Sequence, residues 1–109
     1  NAVGASIPSW REIDPGVVAI VSLFTDRRES LQNEAGEFIH AIESGLIPAG
    51  LVVPELGEVL NGDHPGRTSE TEITLFRSLG LSVEDIAAAQ LVYERAMERG
   101  IGEHVDFVG

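Results

Sequence analysis

Apolar positions along this chain alternate between helical spacing and short extended bursts. From Arg27 to Gly45, Leu31, Ala35, Phe38, Ile39 and Ile42 recur every three or four residues, which predicts a helix stopped by Gly45. Gly36 lies inside that run and is expected to divide it. A second helix is predicted from Ser82 to Gly100, with Ile86, Ala89, Tyr93 and Met97 as its apolar stripe. Its start looks like a capping box between Ser82 and Asp85, and Glu84 and Asp85 at one end face Arg95 and Arg99 at the other, as the helix dipole favours. Two bursts of β-branched and aromatic residues, Val21–Thr25 and Ile73–Phe76, predict strands.

The remaining segments follow from punctuation. Asn1–Ser6 reads as the end of a strand entering a small-residue turn, and Pro8–Pro15 as a loop. Asp14 is a candidate N-cap for a short helix beginning at Pro15. Residues Leu46–Pro54 are expected to be irregular or extended. A short helix is expected to start at Pro54 and end at Asn61–Gly62. The tail from Glu103 to Gly109 is read as a short strand or a disordered end. This order, βαβαα-βα, places the chain in the α/β class. A dinucleotide-binding domain opens with a strand, G-x-G-x-x-G and a helix whose first amides hold the pyrophosphate. That fingerprint is absent, so if the fold is of this kind the chain carries only the second half of it.

Composition narrows the function. At 109 residues the chain is about one domain. Eighteen acidic against seven basic residues give a formal charge of -11, which argues against nucleic-acid or anionic-membrane partners. No apolar run approaches the roughly 20 residues of a membrane span. There is no cysteine, which removes thiol nucleophiles and cysteine zinc sites and accords with a cytoplasmic setting. All seven basic residues are arginines, so neither a P-loop lysine nor Schiff-base chemistry can reside here. The first residue is Asn1 rather than Met, so the chain is expected to begin inside a longer polypeptide or to have been trimmed, residues 1–2 being open to an origin in a vector.

The candidate chemistry is sparse. Gly4 in "NAVGAS" would let a ligand approach the backbone closely, and Ser6 could donate a hydrogen bond, although a plain turn explains both. His40, His64 and His104 are scattered without ligand spacing, so no metal site is expected. Asp26, Glu29, Glu34, Glu37 and Glu43 read as a solvated helix face. Trp10, the single tryptophan, is expected to be a core or interface anchor. Arg67, on the loop set by Pro65–Gly66, is expected to pair with a nearby carboxylate.

Two stretches taken together go further. "NAVGASIPSWREID" and "ELGEVLNGDHPGRTSETEITLFRSLGLSVEDIAAAQLVYERA", with "DRRESLQNEAGE" from Asp26 to Glu37 between them, resemble the C-terminal part of the ornithine cyclodeaminase/mu-crystallin family. The resemblance covers nearly the whole chain. It implies the second half of a Rossmann-type domain over residues 1–80, and a helix and tail over 81–109 that pack toward a dimerisation domain. It implies NAD or NADP as cofactor, in a homodimer or higher homo-oligomer. It implies hydride transfer to or from the α-carbon of an amino or cyclic imino acid, as in ketimine reductases, alanine dehydrogenases and cyclodeaminases. The family turn that meets the nicotinamide falls on Val3, Gly4, Ala5 and Ser6. Ser6 stands where ornithine cyclodeaminase has an acid/base aspartate, as in mu-crystallin-like members. The strand "EITLFRS" would deliver Ser78 to the cofactor and Leu79 to the substrate, with "PGRTS" as the loop that positions it. The lysine, arginine and glycine fingerprint of the family would lie in an N-terminal part, so the chain alone is expected to be inactive. The alternatives are a non-catalytic small-molecule-binding or dimerisation module of mu-crystallin type, or an isolated folding unit without a function of its own.

Overall fold

The computed structural model describes residues 1–106. Two short strands, β1 (Ser22–Thr25) and β2 (Thr74–Arg77), pair in parallel, with Ser22 opposite Thr74 and Thr25 opposite Arg77. Single parallel bridges extend the pairing on both sides, Ala2 to Arg77 and Glu55 to Thr25. Four segments therefore run side by side in the order Ala2, β2, β1, Glu55. The crossover between β1 and β2 carries three helices, as a parallel pair requires.

Those helices form where the pattern places them. Helix α1 (Pro15–Val18) starts at Asp14, whose carboxylate accepts from the Gly16 amide at 2.7 Å. The long predicted helix is two, α2 (Arg28–Glu34) and α3 (Gly36–Glu43), split at Ala35. Just after the break a close approach demands glycine. A Cβ on Gly36 would lie 2.1 Å from the Trp10 carbonyl oxygen and 2.5 Å from that of Pro8, so only glycine admits the 8–10 loop. Helix α4 (Leu56–Asn61) begins two residues later than expected, with Glu55 as N-cap; Glu55 and Glu58 form a reciprocal capping box. Gly62, at φ 83°, ends it.

Alternate strand residues face opposite sides. Leu23 and Leu75 turn toward a core of Val18, Leu31, Ala35, Phe38, Ala41, Ile47 and Val53, built by α1–α3 and the segment between α3 and α4 on one face of the sheet. Phe24 and Phe76 face the other way, where α4 and the His64 loop cover them in part; Phe24 meets the His64 ring edge-on at 5.5 Å.

Helix α5 (Ser82–Arg99) departs from the expectation at two points. Leu81 is its N-cap and no side chain caps it, so the box between Ser82 and Asp85 does not form. Its apolar stripe is uncovered: Ile86 is 68% exposed and Met97 62%. Residues 103–106 have no regular structure, and the rest of the tail reading lies outside the described residues.

Candidate functional site

In a parallel sheet, ligand contacts gather beyond the carboxyl ends of the strands. Here that edge carries two turns. One is Val3–Ser6, after the Ala2 bridge; the other is Ser78–Gly80, after β2. Backbone hydrogen bonds zip their bases together, Ala2 N–H donating to the Phe76 carbonyl at 2.9 Å and Ser78 N–H to the Ala2 carbonyl at 3.1 Å.

Each turn is held by one carboxylate. The amides of Val3, Gly4 and Ala5 donate to the Glu12 carboxylate at 3.1, 2.6 and 3.2 Å. A Cβ on Gly4 would sit 3.3 Å from three atoms of that carboxylate, so the glycine makes room for Glu12. The Gly4 amide above all, with the Ala5 and Val3 amides and the Arg77 charge, holds the Glu12 carboxyl below the usual carboxylate range against the opposing effect of burial.

Asp26 does the same for the second turn. Its Oδ2 accepts from the Ser78 hydroxyl at 2.9 Å and from the Leu79 and Gly80 amides at 2.8 Å each. Its Oδ1 accepts from the Arg27 amide at 2.8 Å and the Thr25 hydroxyl at 3.2 Å. Burial pushes the Asp26 carboxyl up, but the Gly80 amide, the Ser78 hydroxyl and the Leu79 and Arg27 amides together hold it below the usual range.

Arg77 ties the two turns to the core. Its side chain is 1% exposed and its guanidinium pairs with the equally buried Glu37. It also donates to the carbonyls of Ala2 at 3.3 Å, Ser78 at 2.9 Å and Ala5, and lies 3.5 Å from Glu12. Glu37 in turn accepts from the Glu12 amide at 3.4 Å.

The residues predicted from sequence are brought together: Val3, Gly4, Ala5 and Ser6 share one edge with Ser78 and Leu79. Four side chains that organise the edge, Asp26, Glu37, Glu12 and Arg77, depart from the sequence expectation or lie outside it. Asp26 and Glu37 are buried and fully engaged, not part of a solvated face. Their periodicity matches an exposed stripe because spacing says nothing about a buried cation in a distant strand. Arg77 carries one usable signal, since a charged residue ending an apolar strand is costly to bury without a partner; Glu12, in the loop before α1, carries none. Arg67 donates to the Thr74 hydroxyl at 2.7 Å and meets no carboxylate among the described residues. That contact fastens its loop to the start of β2. Trp10 is 59% exposed, so it is no core anchor in this chain. Among the described residues no three His, Asp or Glu side chains gather as a metal would need.

The chemistry of this edge is set by what is already used. Three amides of one turn and two of the other point at protein carboxylates, so neither turn is a phosphate cradle. Ser6 is exposed and Ser78 and Leu79 are half-buried. Two grooves of about 350 Å³ flank the sheet, one over Phe24, Phe76, Leu56 and Val59 and one beside Val18, Val53 and His64. Neither includes the two turns. Among the described residues no helix is long and apolar enough to cross a membrane.

Parallel segments, helices on the connection and paired turns at the carboxyl edge define part of a Rossmann-type α/β domain. The chain belongs to the ornithine cyclodeaminase/mu-crystallin family, which it matches over residues 1–100. It is 38% identical over 108 residues to a Delta(1)-pyrroline-2-carboxylate reductase of Bacillus cereus, covering 98% of this chain and 33% of that protein. It is 42% identical over 94 residues to the ketimine reductase mu-crystallin of Mus musculus, covering 86% of this chain and 27% of the other. Its fold matches the Thermococcus litoralis Delta(1)-pyrroline-2-carboxylate reductase, solved with NADH and L-proline. The TM-score is 0.82 at 40% identity, over 94% of this chain and 32% of that one. The chain thus spans between about a quarter and a third of the length of these relatives.

Proposed function

We propose that this chain forms the nicotinamide half of the site in an NAD(P)-dependent oxidoreductase acting on amino or cyclic imino acids, as one segment of a longer polypeptide. The carrying observation is the hydrogen-bonded zipper that sets Val3–Ser6 beside Ser78–Leu79 at the carboxyl edge. The likeness to enzymes that reduce cyclic imino acids, one solved with NADH, supports the same reading. In it, residues 1–80 are the second half of the dinucleotide-binding domain, and 81–109 pack toward a dimerisation domain. The protein is a cytoplasmic homodimer or higher homo-oligomer.

The donor set fits the nicotinamide end of the cofactor rather than its pyrophosphate. A flat ring needs close backbone approach and a few oriented polar atoms, and the turn amides are closed to phosphate by Glu12 and Asp26. When bound, the cofactor supplies or accepts the hydride. Val3–Ser6 and Ser78 orient the ring and Leu79 bounds the substrate side, so that the reacting carbons meet at short range. Ser6 carries no carboxylate, so the reading favours reduction of an imine or oxidation of an amine over cyclodeamination of ornithine.

The test is a steady-state assay on the full-length protein with NADH or NADPH and Δ1-pyrroline-2-carboxylate, alongside NAD+ and ornithine. Cofactor oxidation with the cyclic imine and no proline from ornithine is expected. Proline formation from ornithine at a comparable rate would overturn the assignment of Ser6. Titration of the 109-residue chain with NADH should show no binding; binding as tight as that of the full-length protein would overturn the half-site reading.

A further inference from the structure

The Ser78–Gly80 turn has spent every hydrogen-bond donor it possesses. Ser78 N–H goes to the Ala2 carbonyl at 3.1 Å. The Ser78 hydroxyl, the Leu79 N–H and the Gly80 N–H all go to one atom, Asp26 Oδ2, at 2.9, 2.8 and 2.8 Å. Asp26 is itself saturated, since Oδ1 accepts from Arg27 and Thr25. A buried carboxylate with five donors stays ionised and has no reason to turn. The hydroxyl proton of Ser78 is therefore held inward, and only its lone pairs face outward.

The cations near this edge are likewise engaged. Arg77 is buried against Glu37 and three backbone carbonyls. Arg27, just after β1, is paired with Glu29. Across the edge, Glu12 takes the amides of Val3, Gly4 and Ala5. Of the turn Val3–Ser6, Ser6 alone keeps its N–H and hydroxyl free among the described residues.

We infer that Asp26 is a specificity-determining positioning residue: it makes the Ser78–Gly80 turn an acceptor-only edge that takes a ligand's amino group and rejects a carboxylate in the same place. This rests on the proposed nicotinamide site. There the group that fits is the carboxamide NH₂, with Ser78 Oγ as its acceptor. A ligand whose only polar atoms are acceptors meets lone pairs against lone pairs. An anion at that position also meets the Asp26 charge behind the hydroxyl.

The experiment compares two dinucleotides on the full-length protein by calorimetry: NAD+, and nicotinic acid adenine dinucleotide, in which a carboxylate replaces the carboxamide. The wild-type protein is expected to bind NAD+ at least about tenfold more tightly, the worth of one hydrogen bond made against one opposed. Ser78→Ala should bring that ratio close to one while the carboxylate analogue keeps or gains affinity. Asp26→Asn frees the hydroxyl to turn and should lower the ratio as well. A loss of folding alone would weaken both dinucleotides together and leave the ratio unchanged. Equal binding of the two by the wild type, or a preference for the carboxylate, would overturn the inference; the ligand would then be meeting Ser6 or the free amides that open α5. An undiminished ratio in Ser78→Ala would also overturn it. Binding of neither dinucleotide would instead sink the proposed function, so the two failures are told apart.

Discussion

Helix α3 and helix α5 have the same kind of one-sided apolar pattern, yet they end in opposite surroundings. In the eight residues of α3, Gly36, Glu37, Phe38 and Ala41 are buried, and its first turn supplies the partner of Arg77. In the eighteen residues of α5 none is buried. The 1–80 region is tied across its length by polar groups with no slack: Arg77, Glu37, Glu12 and Asp26 each serve two or more segments. Along α5 the side-chain polar contacts are local, Gln90 to Glu94 and Arg95 to Glu98. The lesson is that a helical stripe announces a face to be covered without naming the cover. Where the cover lies within the chain, as for α3, the pattern and the packing agree. Where it does not, the stripe stays in solvent.

The strongest way to break this contrast is Arg77→Ala in the full-length protein. It strands the buried Glu37 charge and three carbonyls at once, so a loss of about 3–5 kcal/mol in chemical denaturation is expected. A loss under 1 kcal/mol would mean that water reaches Glu37 and the network is not what holds the turns. Next comes a paired truncation. Phe38→Ala should cost about 3–5 kcal/mol wherever it is measured, because its ring is 1% exposed. Ile86→Ala should stay within about 0.5 kcal/mol in the 109-residue chain and rise to about 2–5 kcal/mol in the full-length protein, if the rest of the polypeptide covers α5. Equal, small effects in both would leave α5 a solvent-facing helix.

Gly36→Ala is a smaller perturbation with a defined cause. Its methyl would collide with the Trp10 and Pro8 carbonyls, so the 8–12 loop must shift, at about 1–3 kcal/mol. Because Glu12 rides on that loop, the shift should be visible as chemical-shift changes at Val3, Gly4 and Ala5. The smallest effect is electrostatic. Glu12, Asp26 and Glu72 all have native carboxyls below their ordinary values, Glu72 at about 2 through the Ser22 hydroxyl first and then the Thr68 amide. A lowered native value binds fewer protons than the unfolded chain. The stabilisation is therefore present in full above about pH 4.5 and drains away as pH falls toward 2. Urea midpoints should decline through that window, and Glu12→Gln should flatten the decline. A midpoint indifferent to pH between 5 and 2 would contradict the three hydrogen-bond sets.

Much of this architecture is legible from the residues because local rules decide it. β-branched and aromatic clusters make Ser22–Thr25 and Thr74–Arg77 strands; Asp14 with Pro15 starts α1; Gly36, Gly62 and Gly100 punctuate helices. The motif set around Val3–Ser6 and Ser78–Leu79 marks the family and the two turns, whose bases the Ala2–Phe76 and Ser78–Ala2 backbone hydrogen bonds join. What spacing cannot carry is which distant charge meets which. Asp26 and Glu37 fit an exposed helical stripe as well as they fit a buried network. The choice between the two is made for Glu37 by Arg77, forty residues further along the chain, and for Asp26 by the Ser78 hydroxyl and the Leu79 and Gly80 amides. Those pairings exist only once the parallel segments align, since it is the alignment that removes water and leaves each buried polar group only protein partners.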